Sequence, residues 1–182
     1  MLKKAVILPA LALLVLAAVT CGGAADTAKT TPTAPAAVAP VATAPAAGAA
    51  ITLLKGYDMA QTKGKVTFVE LWGVWCPPCI RSMPHVQEMY DKYKTNKDFN
   101  LMVVNTGWRG DTVEKVKGWL AKNPKYTFPV YFDDRPQEQQ FAMLHQVNSI
   151  PRSIILDKKG QVKYNGHPME IPAGLIDRLL AE

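Results

Sequence analysis

The five residues Trp75-Cys76-Pro77-Pro78-Cys79 carry the densest chemistry in this 182-residue chain. A Cys-x-x-Cys spacing on one helical turn lets two sulfurs close a disulfide with little backbone movement. Such a pair can exchange electrons, bind a metal or act as an inert staple. Zinc needs four ligands, usually from a second Cys-x-x-Cys or paired histidines. The chain offers one such motif and three scattered histidines, His85, His145 and His167. Covalent haem attachment needs His directly after the second cysteine, and Ile80 stands there. Two-electron thiol–disulfide chemistry is the leading reading, with a structural disulfide as the alternative. It calls for no cofactor and no metal.

Positioning that pair requires a strand before it and a helix after it. Lys65 to Leu71 reads Lys-Val-Thr-Phe-Val-Glu-Leu, a β-rich run apolar enough for a central strand covered on both faces. Beyond the cysteines, Met83, Val86, Met89, Tyr90 and Tyr93 recur at helical spacing. Cys76 then falls at a helix N-terminus, where free N–H groups and the macrodipole favour a thiolate. Cys76 is thus the expected attacking sulfur, and Cys79, inside the first turn, the resolving one. Pro77 and Pro78 fit these first-turn positions because their missing N–H groups have no intrahelical partner.

Further elements follow along the chain. Leu101 to Val104 reads as a second buried strand, and Asp111-Thr112-Val113-Glu114 as a capping box opening a helix that stops at Asn123-Pro124. Pro129 to Phe132 is a third strand and Gln137 to Gln146 a short helix. Ser153–Leu156 and Val162–Tyr164 flank Asp157-Lys158-Lys159-Gly160, a hairpin signal, and Pro172 begins a last helix. Strands alternating with helices indicate an α/β fold, a sheet covered by helices on both faces.

The N-terminus reads as an address. Lys3-Lys4 precede an apolar run from Ala5 to Val19, shorter than the roughly 20 residues a span needs and suited to an export signal. Cys21 and Gly22-Gly23 follow. This resembles a bacterial lipoprotein signal over residues 1–21, with Cys21 lipidated. Cleavage near Gly23-Ala24-Ala25 and an uncleaved anchor are the other two readings; all three place the domain outside the cytoplasm. Residues 22–50 hold 13 Ala, 5 Thr and 4 Pro with no aromatic residue, a composition that cannot offset its ordering entropy. They form a disordered linker, and the folding unit is 51–182. Within it, 18 basic and 14 acidic residues are scattered in short groups. Nucleic acid is not an expected partner, since no basic stripe interleaves with aromatics.

Trp72, Trp75, the cysteine pair and Pro84 resemble the active-site segment of the thioredoxin superfamily, and Val147-Asn148-Ser149-Ile150-Pro151 resembles its cis-proline loop. The export signal, the extra helix near 111–123 and the strand–Asp-Lys-Lys-Gly–strand segment resemble the TlpA/ResA-like extracytoplasmic thiol–disulfide oxidoreductases. The resemblance runs from about Thr52 to Leu180. It implies a central mixed sheet with helices on both faces and a cis Ile150–Pro151 bond beside the sulfurs. A substrate site made by Trp75, Pro77, Pro78 and Ile150 would go with it. It favours reduction of disulfides in exported proteins, such as apocytochrome c, with a membrane electron donor restoring the dithiol. The lipidated N-terminus would hold the protein at the membrane.

Glu70 lies six positions before Cys76, where thioredoxins carry a buried acid. A carboxyl in an apolar strand is costly unless it is protonated or partnered, so Glu70 is expected to have a raised pKa and to accept or donate the Cys79 proton through water. A solvated sheet edge, or pairing with Lys65, is the alternative. Many members of the branch place an acid three residues after the second cysteine, where this chain has Ser82. Arg152 is a weaker candidate for adding positive potential near Cys76, and the Trp108-Arg109 loop for contact with a partner. The rival functions are a dithiol oxidant, a copper-handling carrier and a tethered peptide binder.

Overall fold

The computed structural model describes residues 50–182. The expected signal over 1–21, its Cys21, and all but the last residue of the 22–50 linker lie outside the described residues. Six strands form one mixed sheet in the order β1-β4-β3-β2-β5-β6. Its centre is β2 (Val66–Trp72), in which all seven residues are buried. Buried on both faces, β2 consumes its backbone groups in two ladders. It pairs in parallel with β3 (Phe99–Asn105), Glu70 opposite Val103, and antiparallel with β5 (Arg152–Leu156), Glu70 opposite Ser153. Outside β3 lie β4 (Val130–Phe132) and the two-residue β1 (Thr52–Leu53), which the sequence did not announce. Outside β5, β6 (Val162–Gly166) closes the hairpin. Its turn is held by Asp157, which accepts from the backbone N–H of Lys159 and Gln161, with Gly160 at φ 77°.

Two parallel crossovers of one hand, through α1 (Pro77–Tyr93) and α2 (Val113–Lys122), put both helices on one face. There Phe68, Trp72, Val103 and Ile155 of the sheet pack with Cys79, Met83, Val86 and Val116. The last helix, α4 (Leu175–Ala181), adds Ile176 and Leu179 to the same layer. The opposite face, built on Val69, Leu71, Met102, Val104 and Ile154, is covered more thinly. Its cover is the one-turn α3 (Phe141–Leu144) and the turn residues Leu54, Tyr57 and Met59.

Three helix expectations change. The helix expected over 137–146 splits into a 3-10 turn, Gln137–Gln139, and α3. The split comes from Asp133, whose carboxylate accepts from Phe141 N–H at 2.9 Å, and from Gln146, whose φ of 54° ends the run. The final helix starts at Leu175 instead of Pro172, because Gly174 is left-handed at φ 68°. The cap of α2 is Thr112, whose hydroxyl accepts from Lys115 N–H. Asp111, expected at that cap, turns inward instead.

Candidate active site

Cys76 is the N-cap of α1, with Pro77 and Pro78 in the first turn, as the spacing predicts. The two cysteines form a disulfide with Cα atoms 5.3 Å apart, and the Cys79 N–H points at Cys76 Sγ over 3.2 Å. That donor, at the start of a 17-residue helix, faces the sulfur that would carry charge as a thiolate. Pro77 is exposed and Pro78 half-buried, while Cys76 is 1% and Cys79 0% exposed. Across the sulfurs lies the Ile150–Pro151 segment, whose peptide bond is cis. The Ile150 carbonyl oxygen is 3.8 Å from Cys76 Sγ. The structure therefore brings Cys76, Cys79, Ile150 and Pro151 to one place.

The loop before Cys76 is fastened by Asp111, a role that sequence reasoning missed, and Trp75 is held by the Trp108-Arg109 loop, which the sequence offered for a partner. Asp111 Oδ2 accepts from Val74 N–H at 2.9 Å and from Asn105 Nδ2 at 2.8 Å, tying the loop to the end of β3. Trp75 Nε1 donates to the Trp108 carbonyl at 2.8 Å, and the Arg109 guanidinium lies 4.3 Å from the Trp75 ring centroid. A cation at that distance over indole is a favourable contact. Gly73 leaves room for this packing: a Cβ there would stand 2.7 Å from Trp75 Nε1. The signal for Asp111 was its place beside Thr112: two cap-type residues in succession cannot both cap one helix.

Glu70 is fully buried, on the same sheet face as Phe68 and Trp72. The Ser153 hydroxyl donates to its Oε2, and its Oε1 has no partner among the described residues. Neither the solvated edge nor a pairing with Lys65 is found. Loss of water pushes the Glu70 carboxyl up to about 8, the Ser153 hydrogen bond working the other way. Ser82 spends its hydroxyl on the Cys79 carbonyl at 2.8 Å.

The remaining candidates lie elsewhere in the geometry. Arg152 reaches Asn165 O on β6 at 3.5 Å, with its Nε buried and unpartnered among the described residues. His145 stacks on Phe141, and burial, together with the charge of Arg135, holds it below the usual histidine range. His167 accepts from Met169 N–H, and His85 lies 3.8 Å from Glu88. Among the described residues, no three of His, Cys, Asp and Glu gather as a ligand set.

Comparison with known proteins agrees with this geometry. The Redoxin family model matches residues 36–176. The thiol-disulfide oxidoreductase ResA of Geobacillus kaustophilus is 34% identical over 115 residues, covering 62% of each chain. The chain thus spans about three fifths of the length of curated relatives that it matches. The crystal structure of StoA from Bacillus subtilis aligns with a TM-score of 0.50 at 27% identity, over 68% of this chain and 90% of that one. A thiol-disulfide isomerase from Corynebacterium glutamicum shares the fold with a TM-score of 0.60 at 21% identity, over 76% and 97% of the two chains.

Proposed function

Because the chain belongs to the Redoxin family, we propose that it is a thiol–disulfide oxidoreductase that reduces disulfides in proteins outside the cytoplasm. The observation that carries this reading is the Cys76–Cys79 bridge at the start of α1, facing the cis Ile150–Pro151 loop. Its similarity to relatives named as thiol-disulfide oxidoreductases supports the reaction class.

In the reduced protein, the Cys76 thiolate attacks one sulfur of a substrate disulfide. The substrate S–S bond breaks, its second sulfur leaves as a thiolate and takes a proton from solvent, and a mixed disulfide joins Cys76 to the substrate. The Cys79 thiol passes its proton through water to the Glu70 carboxylate, and the resulting thiolate attacks Cys76 Sγ. The mixed disulfide breaks, the substrate departs with two electrons, and the Cys76–Cys79 bridge remains. A carboxyl held near the working pH suits that proton step. Trp75, Pro77 and Pro78 form the surface against which the substrate lies, and the Ile150 backbone pairs with its extended segment. Pro151, which has no N–H, discourages metal capture between the thiols.

A membrane dithiol protein would return the bridge to the dithiol. Export and tethering through lipidated Cys21 rest on the Lys3-Lys4, apolar-run and Cys21 pattern. No helix among the described residues is long and apolar enough to cross a membrane. Cys21→Ser should move the protein from the membrane fraction to the soluble fraction of cells; unchanged partition would remove the lipid anchor.

The reduction potential of the Cys76–Cys79 pair tests the direction of electron flow. Equilibration in graded thiol buffers should give about −250 mV or lower, and Cys76→Ser should abolish reduction of a protein disulfide. A value near about −120 mV would instead mark a dithiol oxidant.

A further inference from the structure

The Glu70 carboxyl is asymmetric in a way its burial alone does not require. Glu70 is fully buried and shares a sheet face with Phe68 and Trp72, which pack in the layer that holds Cys79 and Met83. Only Oε2 has a partner, the Ser153 hydroxyl. Oε1 is buried without one among the described residues. Glu70 and Ser153 are directly opposed in the antiparallel β2–β5 register, so the contact is set by the sheet and not by a flexible loop. Ser153 is itself fully buried, and among the described residues no other hydrogen bond of its hydroxyl competes for the proton it donates.

We propose that Ser153 is a positioning residue for Glu70: by binding Oε2, its hydroxyl leaves Oε1 as the oxygen that receives the Cys79 proton. The inference rests on the oxidoreductase reading and adds a residue to it. A hydroxyl next to a carboxylate donates, which stabilises the charge on that side and fixes the plane of the group. The proton that leaves Cys79 then bonds to Oε1, and the Ser153 O–H bond stays intact throughout. Without the hydroxyl, both oxygens would be unpartnered, the carboxylate would cost more, and the carboxyl could turn about its last torsion. On its own sheet face Glu70 stands between Phe68 and Trp72 of β2 and opposite Val103 of β3, and Phe68, Trp72 and Val103 belong to the layer that includes Cys76, Cys79 and Met83. Among the described residues, Tyr164 of β6 senses the Glu70 charge: burial first, then Glu170 and last Glu70 hold its proton more tightly, while the Arg152 charge works the other way.

The test compares Ser153→Thr, which keeps a hydroxyl, with Ser153→Val, which has the same shape without one, and with Ser153→Ala. In the oxidised protein, the infrared band of the protonated carboxyl, identified by its loss in Glu70→Gln, is titrated in each. Val and Ala variants should titrate about one pH unit higher than the parent, in line with one lost charge-assisted hydrogen bond. The Thr variant should titrate with the parent. Resolution of a Cys76 mixed disulfide should slow several-fold at pH 7 in the Val variant and recover in the Thr variant. Equal titration of the Val and Thr variants would overturn the assignment, as would equal resolution rates. The infrared arm needs no turnover. A parent protein that fails to exchange disulfides would sink the oxidoreductase reading while leaving the Ser153–Glu70 contact to be judged by titration.

Discussion

Glu70 and Asp157 are both buried carboxyl groups beside β5, and their proton affinities move in opposite directions. Glu70 is raised to about 8, whereas Asp157 lies below the usual aspartate value. Burial works to raise both. Asp157 overcomes it with donors: the backbone N–H groups of Gln161 and Lys159, and the Lys163 ammonium at 3.2 Å. Glu70 has the Ser153 hydroxyl alone. The difference follows from where each residue sits. In a turn, successive N–H groups are free to converge on one side chain. In a central strand, ladders on both sides have already taken them, and a carboxyl finds only what neighbouring side chains offer. A carboxyl starved of donors holds its proton near neutral pH, which suits transfer; a well-supplied one stays charged and holds a turn.

The largest effect expected from this contrast is on stability against pH. The unfolded chain releases the Glu70 proton near the ordinary glutamate value, whereas the folded chain keeps it until about pH 8. Between those limits the native state binds more protons than the unfolded one, so stability falls as pH rises and levels off above about 8. Glu70→Gln should flatten that slope, melting closest to the parent near pH 4 and furthest above it near pH 9; parallel melting curves would remove the raised carboxyl. Next comes Asp157→Asn, where the sign reverses. A lowered carboxyl contributes stability above its unfolded value and loses it as pH falls through the folded one. The variant should melt several degrees lower at pH 7 and approach the parent as pH falls below the ordinary aspartate range, followed by calorimetry. The smallest change is Lys163→Met, which removes a half-exposed ion pair of the kind worth up to about 1 kcal/mol. Its slight loss in melting temperature should vanish in high salt, and a loss that persists would mean Lys163 does more than pair with Asp157.

Much of this arrangement could be read in the chain, and the misses have a common cause. The central strand, the cysteine pair at a helix start and the Asp-Lys-Lys-Gly hairpin depend on local pattern, and each falls within a residue or two of its expected place. The cis-proline loop came from resemblance, since a lone Ile-Pro says nothing about its isomer. What stayed hidden depends on partners distant in sequence. β1 is two residues long and exists through its pairing with β4. Asp133 cuts the expected 137–146 helix by reaching Phe141. Ser153 was read as strand, and nothing local linked it to Glu70. Asp111 was read as a cap because Asp-x-x-Glu fits one, when its partners are Asn105 and Val74.

Asp111 also separates two events in the life of the chain. Cys76 and Cys79 are three residues apart, so an oxidant can join them in a chain that has formed little else. The bond from Val74 to Asp111 spans 37 residues and must await the pairing of β3 with β2, a slower, non-local step. A chain that has not finished folding can therefore hold its disulfide while the loop beside it is still unfastened, and in that interval the bridge is open to any passing thiol. The shielding of the bridge arrives with these long-range contacts, after the disulfide itself can form.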